Sequence, residues 1–271
     1  MLSILIPTYN YDVTKLVETL IIQCEEIELK YEIIVADDCS SKTIIDKTLL
    51  KNNVFVKQNK LNVGLAKTRN NLAETSKYKW LLFLDADVLP KRTDFIKQYT
   101  KNTSEINKVI YGGLDYLNNN QDKLRYRYGI KRESLSISKR SKKPNNFHCS
   151  NFLIERETFM DIKFDSSISS YGHEDTLFAY KTYKKRIFIK HIENSVYHLG
   201  IDLNNIFIDK TKEAINSLVL LEKASKLPLN LTLIQKIFLK LKKYKFLILF
   251  YRISSLSMKY IIKNLNSHLE T

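Results

Sequence analysis

The sequence predicts an α/β fold in which helices flank a doubly wound, mostly parallel central sheet, followed by a helical, basic C-terminal extension. Three observations carry this. Short apolar runs alternate with helical patterns through the first part of the chain, an order that favours parallel pairing through crossovers. The apolar runs are continuous rather than alternating, as in strands buried on both faces. Polar residues stand where successive runs end, which is where open α/β sheets bind ligands.

Leu2–Ile6 reads as the first strand, since Met1-Leu2-Ser3-Ile4-Leu5-Ile6-Pro7 lacks the basic region and cleavage site of a signal peptide. Val13–Ile27 has helical spacing through Leu16, Leu20 and Ile27. Glu32–Ala36 and Val54–Lys57 read as the second and third strands, Leu65–Thr75 as a helix and Trp80–Leu84 as the fourth strand. Arg92–Lys101 follows as a helix and Lys108–Gly112 as another strand. Asn118–Asn146 is polar and basic, and reads as a mobile loop: either a lid over a diphosphate or a solvated loop. Phe147–Ile162 returns to order, His173–Lys185 is a helix, Ser195–His198 a last short strand, and the chain from about Leu203 is helical in pattern.

Length and composition bound the answer. A chain of 271 residues accommodates one large α/β domain and an appendage. The expected division is 1–202 for the domain, with 1–115 binding the donor and 116–202 the acceptor, and 203–271 for the extension. Six Gly and four Pro argue against long linkers. Cys24, Cys39 and Cys149 are odd in number and widely spaced, so a reduced, cytoplasmic setting is the default. The net charge of +15 favours polyanionic partners, and no Asp or Glu occurs between Glu222 and Glu270. No apolar run reaches the roughly 18–20 residues of a spanning helix. Lys236–Lys263 instead mixes Ile, Phe, Leu and Tyr with Lys240, Lys242, Lys243, Lys245 and Arg252. It reads as an amphipathic helix at an anionic membrane surface, the alternative being a helix packed on the domain or in a dimer.

Three strand ends carry chemistry: Pro7-Thr8-Tyr9-Asn10, Asp37-Asp38-Cys39-Ser40 and Asp85-Ala86-Asp87. On extended backbone, residues two apart share a side. Two carboxylates placed so repel unless a cation joins them, and hard oxygen donors suit Mg²⁺ or Mn²⁺ with substrate phosphates as further ligands. The alternative is that Asp85 and Asp87 simply cap the next segment.

Taken together, Ser3–Asn10, Ile34–Ser40, Asn62-Val63-Gly64-Leu65-Ala66-Lys67-Thr68-Arg69-Asn70 and Phe83–Asp87 resemble the successive motifs of family 2 glycosyltransferases, in order and spacing, over about the first 115 residues. The resemblance implies the GT-A fold, a nucleotide-sugar donor (often UDP-linked) and inversion at the anomeric carbon. By position it implies that Pro7, Thr8 and Tyr9 line the nucleoside pocket. It gives Asp37 and Asp38 the base and ribose, in either order, and has Arg69 help hold the nucleotide. Asp85 would face ribose or metal, and Asp87 would be the principal metal ligand. Cys39 departs from the pattern, which commonly has Gly there. Tyr171-Gly172-His173-Glu174-Asp175 is similar to the acceptor-side motif of galactosyltransferase-like C-terminal regions. That similarity implies Asp175 as catalytic base and Glu174 as acceptor contact, able to share the role. The same region implies His198 as a further metal ligand, a lone His being as often structural. His173 and His148 have weaker claims, and Asn151 and Trp80 read as packing or capping residues.

The implied reaction is a single displacement. The base takes a proton from an acceptor hydroxyl and the cation stabilises the departing diphosphate. The expected acceptor is a saccharide, free or lipid-linked, in surface polysaccharide synthesis, with the enzyme peripheral on the inner face of a bacterial membrane. Two rivals are weaker. A nucleic-acid-binding protein fits the charge, yet no finger, helix-turn-helix or RNA-binding signature occurs, so no nucleic acid is expected as partner. A nucleotidyltransferase would carry a Gly-rich basic loop after the first strand, where Pro7-Thr8-Tyr9-Asn10 stands. An oxidoreductase would show G-x-G-x-x-G there.

Overall fold

A computed structural model describes residues 1–51, 53–142, 146–167 and 172–223. They divide between two compact units, one drawn from 1–51, 53–118, 133–142, 146–167 and 173–200, the other from 119–132, 172 and 201–223.

The first unit is built on a seven-stranded sheet. Its strands are β1 (Leu2–Thr8), β2 (Tyr31–Asp37), β3 (Val54–Gln58), β4 (Trp80–Leu84), β6 (Val109–Tyr111), β8 (Asn151–Glu155) and β9 (Ile189–His191), in the order β3-β2-β1-β4-β8-β6-β9. β1 pairs in parallel with β2 and β4, β2 with β3, and β6 with β9; β8 alone runs against its neighbours β4 and β6. The doubly wound, mostly parallel sheet predicted from the alternation of strands and helices is therefore present. β1, β2 and β8 are buried along their whole length, and the polar pair inside β1 and β2 is satisfied internally, Ser3 Oγ donating to Glu32 Oε1 at 2.6 Å. β3 is an edge strand in which only Val54 is buried, so the third apolar run does not share that environment.

Helices α1 (Thr14–Glu25), α2 (Leu65–Thr75), α3 (Phe95–Asn102), α6 (Arg156–Ile162) and α7 (Glu174–Lys184) belong to this unit. One apolar cluster joins α1 and α3 to one side of the sheet through Leu16, Val17, Leu20, Phe95 and Tyr99. The other joins α2, α6 and α7 through Leu72, Ala73, Phe159 and Phe178. α3 starts at Phe95 rather than Arg92, because Arg92 folds back to pair with Asp94 at 2.7 Å ahead of the helix. A second, three-stranded sheet has the order β5-β10-β7, from β5 (Val88–Pro90), β10 (Val196–His198) and β7 (Leu114–Asp115).

The basic stretch Asn118–Asn146 is not the loop its polarity predicts. It contains α4 (Leu124–Arg132) and α5 (Ile137–Arg140). Arg140 is only 2% exposed and donates to the carbonyls of Gly112 at 3.0 Å and Ile192 at 2.5 Å, with its guanidinium over the Tyr111 ring. Burial and then the Arg140 charge push the nearby His191 imidazole down to about 4. Composition misleads here because a guanidinium can be buried when carbonyls and an aromatic face receive it.

In the second unit, α4 packs on α8 (Asn204–Lys223). Tyr128 and Arg125 lie against the Phe207 ring, and Leu124 N–H donates to Asn204 Oδ1 at 2.8 Å. Among the described residues no helix is long and apolar enough to cross a membrane. Tyr171 and the segment Lys236–Lys263 lie outside the described residues.

Candidate active site

The carboxyl ends of β1, β2 and β4 converge, as their pairing demands. Pro7 and Thr8 end β1 and are buried, and the next residue, Tyr9, is exposed. Thr8 is in register with Asp37, and Asp38 N–H donates to Thr8 O at 2.9 Å. Asp37 accepts from Ser40 N–H at 2.9 Å and Gln58 Nε2 at 3.1 Å. Asp38 accepts from Asn59 Nδ2 and from the backbone N–H groups of Val63 and Gly64, all within 2.9 Å. The second acid of the pair thus braces the turn that starts α2. Gly64 makes that turn at φ +84°, a conformation Cβ-bearing residues avoid. Cys39, at the position where Gly was expected, holds φ +71°, so the turn keeps the left-handed form despite its side chain.

Asp85 and Asp87 do not lie on one extended strand. β4 stops at Leu84, residues 86 and 87 form a turn, and β5 begins at Val88. The two acids consequently have different partners. Asp85 Oδ1 receives Arg69 Nη2 at 2.6 Å, whereas Asp87 Oδ2 lies 3.7 Å from His198 Nε2. Sheet register brings the second pair together. β10 runs antiparallel to β5 with His198 opposite Val88, and Leu199 N–H donates to Asp87 O at 2.7 Å. Gly200 leaves the room: a Cβ there would stand 1.9 Å from Asp87 Oδ2. The Tyr116 ring stacks on His198 at 5.5 Å. Tyr11, which sequence reasoning passed over, stands close enough that burial and then the Asp87 charge push its phenol up.

Among the described residues no three His, Cys, Asp or Glu side chains converge as a metal cage. The Asp87–His198 corner nevertheless fits a divalent ion of the kind held by one or two side chains and completed by phosphate oxygens. Its donors are a carboxylate and an imidazole nitrogen, kept together in a space that a single methyl at Gly200 would fill.

Arg69 joins this side to α7. It is 2% exposed and pairs with both Asp85 and Glu174, the latter at 3.5 Å, over the Phe164 ring. Burial works against its charge, but Asp85 and then Glu174 more than compensate, so the pKa is raised. Such a guanidinium acts through the carboxylates it orders. Asn70, also absent from the predicted set, fixes this face of α2 by exchanging hydrogen bonds with the backbone of Phe164, each 3.0 Å.

The two acids at the start of α7 are driven apart electrostatically. Burial, followed by the Asp175 charge, raises Glu174. Burial also acts to raise Asp175, but the His148 hydrogen bond and charge, with His173 and Thr176 N–H, hold it below the usual carboxylate range. Asp175 Oδ1 accepts from Thr176 N–H at 2.7 Å and Oδ2 faces His148 Nδ1 at 3.3 Å. Burial and neighbouring charge thus give the two carboxylates opposed protonation tendencies. Asn151, read as a packing residue, is fully buried and bonds Tyr99, Gly113 O and Asn194 O.

A mainly parallel sheet, acid-bearing turns at its carboxyl ends and one reversed strand define a protein of the GT-A glycosyltransferase fold. Comparisons agree. The profile of "Glycosyl transferase family 2" matches residues 3–163, and the chain belongs to that family. It is 36% identical over 115 residues to an uncharacterized glycosyltransferase of Haemophilus influenzae, covering 41% of this chain and 38% of that protein. It is 25% identical over 237 residues to a chondroitin synthase of Pasteurella multocida, covering 73% of this chain and 24% of that protein. The chain thus spans well under half the length of both relatives. Among solved structures, S. aureus TarS 1–349 matches with a TM-score of 0.52 at 20% identity, over 80% of this chain and 65% of that one. The mannosyltransferase PcManGT from Pyrobaculum calidifontis, solved with GDP-Man and Mn²⁺, matches with a TM-score of 0.58 at 15% identity, over 82% and 64%. The family match ends at residue 163, short of α7, so the likeness of Gly172–Asp175 to a galactosyltransferase motif rests on those residues alone.

Proposed function

We propose that the chain is an inverting glycosyltransferase moving a sugar from a nucleotide-sugar donor, UDP-linked, to a saccharide acceptor. The observation that carries this is the pairing of Asp87 with His198 beside Asp85, at the strand ends where the family's motifs place a nucleotide. UDP is favoured because TarS has been solved with UDP and with UDP-GlcNAc, while PcManGT holds GDP-Man.

In this reading Pro7, Thr8, Tyr9, Asp37 and Asp38 form the nucleoside pocket. Asp85 presents Oδ2 to ribose or metal while Oδ1 stays on Arg69, which positions Asp85 and Glu174 together. Asp87 and His198 hold the divalent ion, and an imidazole in the set favours Mn²⁺ over Mg²⁺, whose sites are built of oxygens. When bound, that ion acts as a Lewis acid on the diphosphate. The base function belongs to Asp175, with Glu174 on the acceptor. Residues 1–115 serve the donor, 116–202 the acceptor, and 203–271 form an extension.

Chelation tests the metal assignment. Nucleotide release from a panel of nucleotide sugars should vanish with EDTA and return best with Mn²⁺. Gly200→Ala, whose methyl displaces the Asp87 carboxylate, should weaken Mn²⁺ affinity about 10–100-fold, as changes beside metal ligands do. Turnover indifferent to EDTA sinks the reading.

A lipid-linked acceptor and a peripheral place on a bacterial membrane, within surface polysaccharide synthesis, complete the proposal. These rest on the sequence of Lys236–Lys263. The full chain should co-sediment with anionic vesicles and be released by salt; equal binding to neutral vesicles overturns this part.

A further inference from the structure

His148 faces Asp175, its Nδ1 3.3 Å from Oδ2. It lies between Phe147 and Cys149, which are 1% and 2% exposed, on the segment that enters β8. Phe147 is packed against Phe152 and Phe178 at centroid distances of 5.1 and 6.0 Å. The backbone at His148 is thereby anchored on both sides, yet the imidazole keeps 21% of its surface exposed, and its partner Asp175 keeps 26%. A rigidly held side chain that still meets solvent can meet a substrate.

The geometry points to a proton-accepting dyad, in which Asp175 Oδ2 receives the Nδ1–H of His148 and the acceptor hydroxyl gives its proton to Nε2. This rests on the transferase reading and refines where its base function resides. Asp175 Oδ1 is held by Thr176 N–H, so Oδ2 is the oxygen turned to His148. An ionised carboxylate only accepts, and two bare acceptors do not face each other at 3.3 Å. Nδ1 must then carry the hydrogen, and a neutral imidazole protonated there has its lone pair on Nε2. The carboxylate orients the ring and stabilises the imidazolium, as in other base–orienter pairs.

The step balances. As the acceptor oxygen bonds to the anomeric carbon, its O–H bond breaks and the proton passes to Nε2. The bond from the anomeric carbon to phosphate oxygen breaks, and its electron pair leaves with the nucleotide diphosphate. Around the pair stand Glu174 and His173 with α7, Arg69 from α2, Cys149 in the same segment and Tyr111 from β6, whose ring is 6.5 Å from that of His148. Burial pushes the Cys149 thiol and the Tyr111 phenol upward, so both stay neutral near pH 7.

Two measurements on the full chain decide the matter. Long-range ¹H–¹⁵N NMR of the histidine rings should show His148 as the Nδ1–H tautomer at neutral pH, and Asp175→Asn should disturb it. An Nε2–H tautomer overturns the dyad. In nucleotide-release kinetics, His148→Asn should lower kcat on the order of 10²–10⁴-fold, leave the donor KM within about twofold and abolish the acid limb of the pH profile. Added imidazole should restore part of the rate to His148→Ala. A His148→Asn variant with kcat near wild type and an intact acid limb also overturns it. Should the wild-type chain turn over no nucleotide sugar, the transferase reading fails on kinetics while the tautomer still decides the pair.

Discussion

Arg69→Met is expected to lower the unfolding free energy by about 3–5 kcal/mol, the cost of breaking a buried pair by removing one partner. Met replaces much of the side-chain volume against Phe164, so little of the loss comes from a cavity. The cause is electrostatic. Asp85 at 2.6 Å and Glu174 at 3.5 Å lose their shared counter-charge, in a place where the guanidinium is 2% exposed. The effect has a sign with pH. Glu174 is already raised by burial and by Asp175, and Arg69 is what pulls it back. Without Arg69 its folded pKa rises further above the ordinary value of 4.5. A raised carboxyl stabilises the fold below its unfolded pKa, and that contribution is lost as pH climbs through the folded pKa. The deficit of the variant should therefore grow from pH 4.5 towards neutrality. Urea unfolding at the two ends of that window measures it; a loss under about 1 kcal/mol, the same at both, refutes the linking role of Arg69.

Asp175→Asn should cut kcat by about 10²–10⁴-fold, the range general-base catalysis supplies. Asn preserves the acceptor for Thr176 N–H, so the start of α7 and the donor affinity should both survive. What disappears is the negative charge. In the folded protein that charge is sustained near neutral pH by His148, His173 and Thr176 N–H against the opposing effect of burial. The variant should bind UDP within about twofold of wild type by calorimetry while releasing almost no nucleotide from UDP-sugars. Near-normal turnover would move the base elsewhere, and lost UDP binding would indicate a structural role instead.

The first four strands were legible because their information is local. Leu2–Thr8, Tyr31–Asp37 and Trp80–Leu84 announce themselves as apolar runs, and each ends in a polar turn. Asn118–Asn146 was misread for the opposite reason. Its order comes from distant partners, the Gly112 and Ile192 carbonyls around Arg140 and the Phe207 ring beside Tyr128. The contact of His148 with Asp175 was not legible because nothing in Phe147-His148-Cys149 signals that Asp175, 27 residues on, will lie beside it.

By itself the sequence determined the parallel αβ architecture, the polar ends of its strands and the acids that stand there. Periodicity and turn residues are properties of neighbouring positions, and a single chain displays them. Only the tertiary structure decided how those acids divide: Asp85 to Arg69, Asp87 to His198, Glu174 and Asp175 to opposite protonation tendencies. Partner choice and burial set a carboxylate's chemistry, and both arise from strand register and helix packing across long separations in the chain.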